Sequence, residues 1–248
     1  MKISIVIPTL NEELFIGQIL SSIANQTIKP HEVIVVDNGN IDRTEDIVKL
    51  YKDRLPIKYI PADRGVAKAR NEGARKATGD YVYFIDADTT IPVDNLRTIK
   101  NSIESGKLAV AIMPARMPNA HKLYIRTGAR LMNGYVRIMH RTPWPIGFSC
   151  FCVKRELFLK VGGFDATIPV MEDYDLILRM KQALGKVDFI KSTYFCSSDR
   201  RFVGNPGRIG AAFRAEVYRY THGLKVKKTH GYEMGGSAPK KTTKNTKK

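Results

Sequence analysis

No stretch of this 248-residue sequence approaches the roughly 18 consecutive apolar residues that a membrane-spanning helix needs. The opening MKISIVIP (1–8) is too short for the apolar region of a secretory signal and ends in proline. These two absences predict a soluble, cytoplasmic protein, attached at most to the inner face of a membrane. Cysteine is scarce as well. Cys150, Cys152 and Cys196 make no Cys-x-x-Cys pair and no Cys/His ligand set, which argues against a zinc site and favours buried free thiols. Cys150 and Cys152 are two apart in an apolar run, so they should face the same side of a strand. No internal repeat is visible. Acids are outnumbered, 24 against 41 lysines and arginines, for a net charge of +17.

That charge is uneven. Residues 224–248 carry eight lysines against one acid, Glu233, and have little to bury, so they are expected to be a disordered basic tail. Residues 1–223 remain basic, which favours anionic partners such as nucleotide diphosphates, phospholipid headgroups or nucleic acid. With 43% hydrophobic and 26% charged residues, they can form one large folded domain.

Apolar runs at 3–7, 32–37, 57–60, 81–86 and 107–113 alternate with helical patterns near 12–25, 42–53, 65–77 and 93–105. Such alternation predicts βαβ units and a mostly parallel sheet with helices on both faces. After residue 114 come a basic segment (118–141), a strand-like FSCFCV (148–153), an acidic helical stretch (171–184), KVDFI (186–190) and a helix near 207–222. In parallel sheets ligands bind beyond the carboxyl ends of the strands. Three exits there carry polar groups: Pro8-Thr9-Leu10-Asn11-Glu12, Asp37-Asn38-Gly39-Asn40 and Asp86-Ala87-Asp88.

The last of these poses the sharpest question. YVYFIDADTT (81–90) runs a buried strand straight into two aspartates. Taken alone, the pair fits a solvated turn or a metal site equally well.

Four motifs, in order, resemble glycosyltransferase family 2: SIVIPTLNEE (4–13), VIVVDNGNIDRT (33–44), RGVAKARNEGARKATGDYVYFIDAD (64–88) and VGGFDATIPVMEDYDLILRM (161–180). The likeness spans roughly residues 1–200. Asn40 stands where the family usually has serine. The resemblance implies an α/β chain of GT-A fold, with a Rossmann-like nucleotide-sugar-binding half (1–114) and an acceptor-binding half (115–223). It implies an inverting, metal-dependent transfer of one sugar from a UDP- or GDP-sugar to a hydroxyl of a glycan or lipid-linked glycan. The metal would be Mg²⁺ or Mn²⁺ at Asp86 and Asp88, a cation that typically binds a few carboxylates plus substrate phosphates.

By the same resemblance Asp37 accepts a hydrogen bond from the base, and Pro8, Thr9, Asn11, Glu12 and Ala87 line the nucleotide. Arg64, Arg70, Arg200 and Arg201 supply positive charge to the diphosphate. Asp173 acts as general base with Glu172 beside it. Asp175 is expected instead to be a surface acid or a structural partner of Arg179. A late histidine, His222 or His230, is a weaker candidate for the metal.

Lys122, Arg126 and Arg130 recur at spacing four, continued by Arg137 and Arg141, beside Leu123, Leu131, Tyr135 and Ile138. Residues 118–141 thus read as a basic amphipathic helix, either packed on the domain with a solvated cationic face or docked on an anionic membrane. Trp144, between Pro143 and Pro145, is a candidate for stacking on an acceptor sugar. Transfer to a polyprenyl phosphate is the alternative within the class, though such a nucleophile is already ionised and needs no base. A basic nucleic-acid-binding protein is the alternative outside it. No nucleic acid is expected, because acids at the strand exits would repel phosphate without a metal.

Overall fold

The computed structural model describes residues 1–118, 123–168 and 171–200. The first half follows the alternation: β1 (Ile3–Thr9), α1 (Ile16–Ala24), β2 (Glu32–Asp37), α2 (Thr44–Lys49), β3 (Ile57–Pro61), α3 (Val66–Lys76), β4 (Tyr81–Phe84), β5 (Thr89–Thr90) and α4 (Asn95–Gly106). The second half holds β6 (Val110–Ile112), β7 (Ala115–Arg116), α5 (Leu123–Met139), β8 (Phe151–Lys154), α6 (Arg155–Lys160), α7 (Glu172–Leu184), β9 (Asp188–Phe189) and β10 (Phe195–Ser197).

Seven strands form one sheet in the order β3-β2-β1-β4-β8-β6-β9. It is mostly parallel, but β8 runs antiparallel to both neighbours, β4 and β6. A separate three-stranded sheet, β5-β10-β7, lies beyond the end of β4.

Side-chain alternation sorts the core onto two faces. Ile3, Ile5 and Ile7 of β1, with Val33, Val35 and Tyr83, pack against Ile16, Ile19, Leu20 and Ile23 of α1 and Leu96, Ile99 and Ile103 of α4. Val6, Ile34, Val36, Val82 and Phe84 meet α3, α6 and α7 on the opposite face. There Phe84 sits among Phe151, Phe158 and Phe164, with ring centroids 5.1–5.3 Å apart. Strands loaded on both sides explain the near-continuous Ile and Val runs. Cys150 and Cys152 are buried free thiols on one face, in the cluster that contains Tyr83.

Several sequence boundaries shift for local reasons. The helix expected over 12–25 starts at Ile16, because Asn11 adopts a left-handed backbone (φ 57°) and the Glu12 carbonyl accepts from the Phe15 and Ile16 amides in a turn. The FSCFCV strand begins only at Phe151, since Phe84 and Phe151 form the last pair of the β4–β8 ladder. Gly73 allows α3 to lie close on the sheet: a Cβ there would come within 2.4 Å of Val6 Cγ1. The helix predicted at 207–222 and the lysine tail 224–248 lie outside the described residues.

Among the described residues, no helix is long and apolar enough to cross a membrane. The basic helix over 118–141 is α5. It packs through Ile125, Val136 and Met139, which leaves Leu123, Leu131 and Ile138 mostly exposed beside Arg126, Arg130, Arg137 and Arg141. Of the expected apolar stripe, Leu123, Leu131 and Ile138 therefore face outward, while Tyr135 packs against the cluster of Val136, Met139 and Ile146. Lys122 lies outside the described residues.

Candidate functional site

Parallel register brings the first two exits level, because Thr9 pairs with Asp37 across β1 and β2. Asp37 Oδ1 accepts from the Gly39 and Asn40 amides at 2.8 and 2.7 Å, and Oδ2 accepts from the Tyr59 hydroxyl at 3.0 Å. Burial, together with that carboxylate, pushes Tyr59 up to about 12, so it stays a donor. Asn40 ties the loops together: its Oδ1 accepts from the Asn11 amide, and its Nδ2 donates to Thr9 Oγ1 (2.8 Å) and to Tyr59. Asn11 Oδ1 returns a bond by accepting from the Ile41 amide. The residue that departs from the family pattern thus locks two exits into one rim. Thr9 is buried and its hydroxyl also donates to the Val36 carbonyl.

Asp86 and Asp88 leave β4 in opposite senses. Antiparallel pairing of Phe84 with Phe151 sets Asp86 beside Ser149, whose hydroxyl donates to Asp86 Oδ2 at 2.6 Å. Arg70 reaches up from α3 and donates to Asp86 Oδ1 at 2.7 Å through Nη2. Its Nη1 donates to Glu172 Oε1 at 2.8 Å. Arg70 is only 2% exposed. Burial opposes its charge, but Asp86 and Glu172 outweigh that and hold it well above the usual arginine range. Arg70 therefore lies beneath the cleft, joining the carboxylate after β4 to the carboxylate pair that opens α7. Nothing in the sequence around Ser149 marks it as a partner of Asp86; only the antiparallel register of β8 does.

Glu172 and Asp173 begin α7, just after Met171 in a left-handed conformation at φ 68°. A non-glycine residue there signals a constrained entry. Glu172 is buried, whereas Asp173 is half-buried. Asp173 Oδ1 accepts from the Tyr174 amide at 3.0 Å. Burial and the adjacent Glu172 charge push the Asp173 carboxyl up to about 8, against the pull of Arg70. Asp175 pairs with Arg179 at 2.6 Å, as expected.

The small sheet completes the site. β10 pairs with β5 just after Asp88, and the Ser198 amide donates to the Asp88 carbonyl at 3.0 Å. That anchorage delivers Arg200, whose Nε donates to Asp88 Oδ2 at 2.9 Å and whose Nη2 donates to Glu12 Oε1 at 2.7 Å. The Phe15 ring lies 4.4 Å from its guanidinium carbon. Both acids are buried to 8% exposure. Two carboxylates converge here on one guanidinium, and paired carboxylates are the ligand type that a hard divalent cation takes. No cluster of three or more metal-ligating side chains occurs among the described residues, so further ligands would come from substrate phosphates and water. Pro8 and Ala87 are buried at the same exits. Arg64 is exposed before α3, and Trp144 is exposed in the α5–β8 connection. Arg201, His222 and His230 lie outside the described residues.

Comparison with known proteins agrees with this architecture. The glycosyl transferase family 2 profile matches residues 4–158, well over half of the chain. A Haemophilus influenzae protein described as an uncharacterised glycosyltransferase is 26% identical over 194 residues, 73% of this chain and 62% of the relative. The validoxylamine A glucosyltransferase of Streptomyces hygroscopicus is 45% identical over 89 residues, 34% of this chain and 20% of its own length. The chain thus spans less than two thirds of these relatives.

Among solved structures, Staphylococcus aureus TarS 1–349 in complex with UDP-GlcNAc matches with a TM-score of 0.65 at 21% identity, covering 80% of this chain and 58% of TarS 1–349. The Pyrobaculum calidifontis mannosyltransferase PcManGT, solved with GDP-mannose and Mn²⁺, matches with a TM-score of 0.68 at 22% identity, over 89% of this chain and 61% of that one. These are GT-A folds, and the long, mostly parallel sheet with its helices has the same architecture. The chain belongs to glycosyltransferase family 2.

Proposed function

We propose that this chain moves one sugar from a nucleotide-diphosphate sugar to an acceptor hydroxyl, with inversion, in a single displacement. The observation that carries the reading is the convergence of three carboxylate groups at one end of the sheet: Asp37, the Asp86/Asp88 pair, and Glu172–Asp173 linked to Asp86 through Arg70. Pro8, Thr9, Asn11 and Asp37 form the rim for base and ribose. Glu12, Asp88 and Asp86 face the diphosphate, and Arg64, Arg200 and Arg201 supply its counter-charge. A Mg²⁺ or Mn²⁺ held by Asp88 with Glu12 or Asp86 would act as Lewis acid on the leaving diphosphate. The named ligands of TarS and PcManGT, a UDP-sugar and a GDP-sugar with Mn²⁺, support this donor class.

On the acceptor side Asp173 takes the hydroxyl proton as the new oxygen–carbon bond forms and the carbon–phosphate-oxygen bond breaks. The electron pair of the broken bond leaves on the nucleotide diphosphate. Arg70 fixes Glu172 beside Asp173 and Asp86 beside the donor, so both halves of the reaction share one buried cation. Trp144 offers an exposed ring for an acceptor sugar. The outward Leu123, Leu131 and Ile138 with three arginines on α5 and Arg141 just past its end fit an anionic bilayer carrying a lipid-linked acceptor.

The test is a thermal-shift panel of UDP-, GDP- and dTDP-sugars with and without Mn²⁺. A donor at a hundred times its Kd adds about 2.7 kcal/mol, roughly 5–10 °C for a domain of this size. That gain should require both nucleotide and metal, and Asp88→Ala should lose it together with turnover. Full metal-dependent transfer by Asp88→Ala would overturn the assignment.

A further inference from the structure

Glu12 and Asp88 come from different strand exits, are almost fully buried, and share one guanidinium at 2.7 and 2.9 Å. At that depth a carboxylate charge is costly unless it is paired and hydrogen-bonded, and Arg200 is a charged partner of both acids. Three features make Arg200 a removable partner. Its side chain is 25% exposed, far more than either acid. The strand that leads to it is held by the β5–β10 pairing at Cys196 and Ser197 and by the Ser198–Asp88 bond, and the Arg200 amide donates to Ser198 Oγ, so rotation of the side chain leaves the strand in place. Phe15 provides a flat apolar surface 4.4 Å from the guanidinium, over which it can slide.

We propose that Arg200 is the internal counterion of the divalent-cation site. It holds Glu12 and Asp88 until a cation displaces it, and the displaced guanidinium then pairs with the donor diphosphate. The inference rests on the donor-and-cation reading above and adds how the two ligands depend on each other. A cation arriving alone must evict Arg200 and leave it without an anion. A nucleotide arriving alone competes with Glu12 and Asp88 for the same guanidinium. Together each ligand supplies what the other displaces, so cation and nucleotide tighten each other's binding by the same factor. Guanidinium suits the second half of the exchange, because its planar fork pairs with phosphate oxygens as well as with carboxylates.

The experiment measures Mn²⁺ binding to the full chain by electron paramagnetic resonance, first alone and then with saturating UDP, with GDP run in parallel. In Arg200→Ala, Mn²⁺ alone should bind about tenfold more tightly than in the wild type, within the usual range of coupling between sites. UDP should bind more weakly, and the factor by which it tightens Mn²⁺ should fall toward one. Arg200→Lys keeps the charge but not the two-point contact, and should lie between them. A merely structural Arg200 would give the opposite sign, with Mn²⁺ weakened in Arg200→Ala as the two acids spread apart. Weaker or unchanged Mn²⁺ binding in Arg200→Ala, with the wild type binding Mn²⁺ and nucleotide normally, overturns the exchange alone. A wild type that binds neither Mn²⁺ nor UDP nor GDP overturns the proposed function and the exchange with it.

Discussion

Arg70→Met is the most demanding single change for the site as described. Arg70 has almost no exposed surface, and it donates 2.7 and 2.8 Å bonds to Asp86 and Glu172. Methionine fills much of the same volume, so packing loss is secondary. What remains is one carboxylate with 2% side-chain exposure and another with 20%, both stripped of their cation. Removing one partner of a buried ion pair costs about 3–5 kcal/mol, because the other charge stays behind. At roughly 2–4 °C per kcal/mol for a domain of this length, the melting temperature should fall by about 6–20 °C. Circular dichroism at neutral pH reads this directly.

The control is the triple variant Arg70→Met, Asp86→Asn, Glu172→Gln. It removes all three charges and should recover much of the loss, since replacing a whole buried ion group is often close to neutral. Arg70→Lys should recover only part, because an ammonium cannot bridge two carboxylates in the fixed fork of a guanidinium. A melting temperature for Arg70→Met within about 2 °C of the wild type, below the shift from even 1 kcal/mol, would refute the buried triad.

Asp173 makes a pH prediction whose sign can be worked out. Burial and the neighbouring Glu172 push its carboxyl from the ordinary aspartate range up to about 8, so at neutral pH the free protein favours the protonated form. Transfer that needs it as a base should rise with pH up to about 8 and then level off, and Asp173→Asn should abolish both the rise and most of the rate. Unchanged transfer in Asp173→Asn would point instead to an acceptor phosphate that needs no base. For stability the same shift runs the other way: the folded state binds the proton more tightly, so this contribution is present below pH 4 and lost as pH rises toward 8. The outward face of α5 predicts co-sedimentation with anionic vesicles and not with neutral ones. Leu131→Asp with Ile138→Asp should abolish it without altering melting, because both side chains are exposed.

The alternation of strands and helices along the first half of the chain was legible because it rests on local patterns. Buried runs such as EVIVVD and YVYF announce themselves by composition; Asp37 ends the first, and Asp86 and Asp88 come within four residues of the second. Boundaries were less legible where one residue's backbone decided them, as at Asn11, whose left-handed turn delays α1 to Ile16. Long-range pairings were not legible at all. Arg70 lies 102 residues from Glu172, Ser149 lies 63 from Asp86, and Arg200 lies 188 from Glu12. Nothing about an arginine in a helical pattern tells whether it points to solvent, to a ligand or to a buried acid.

The difference between Arg70 and Arg200 shows what the fold adds to that ambiguity. The resemblance assigned both arginines to the diphosphate, yet the fold gives them different freedoms. Gly73 draws α3 onto Val6, and the close approach leaves Arg70 enclosed, bonded on two sides by acids from β4 and α7. Arg200 lies just past the end of β10, the middle strand of the three-stranded sheet, and its side chain keeps a quarter of its surface open. An enclosed cation with two fixed acids is suited to rigid positioning, because moving it would strand charge in the core. A half-open cation over an aromatic ring is suited to exchange, because solvent and phosphate can both reach it. The same residue type therefore serves as a fixed brace on one side of the Asp86–Asp88 turn and as a movable counterion on the other.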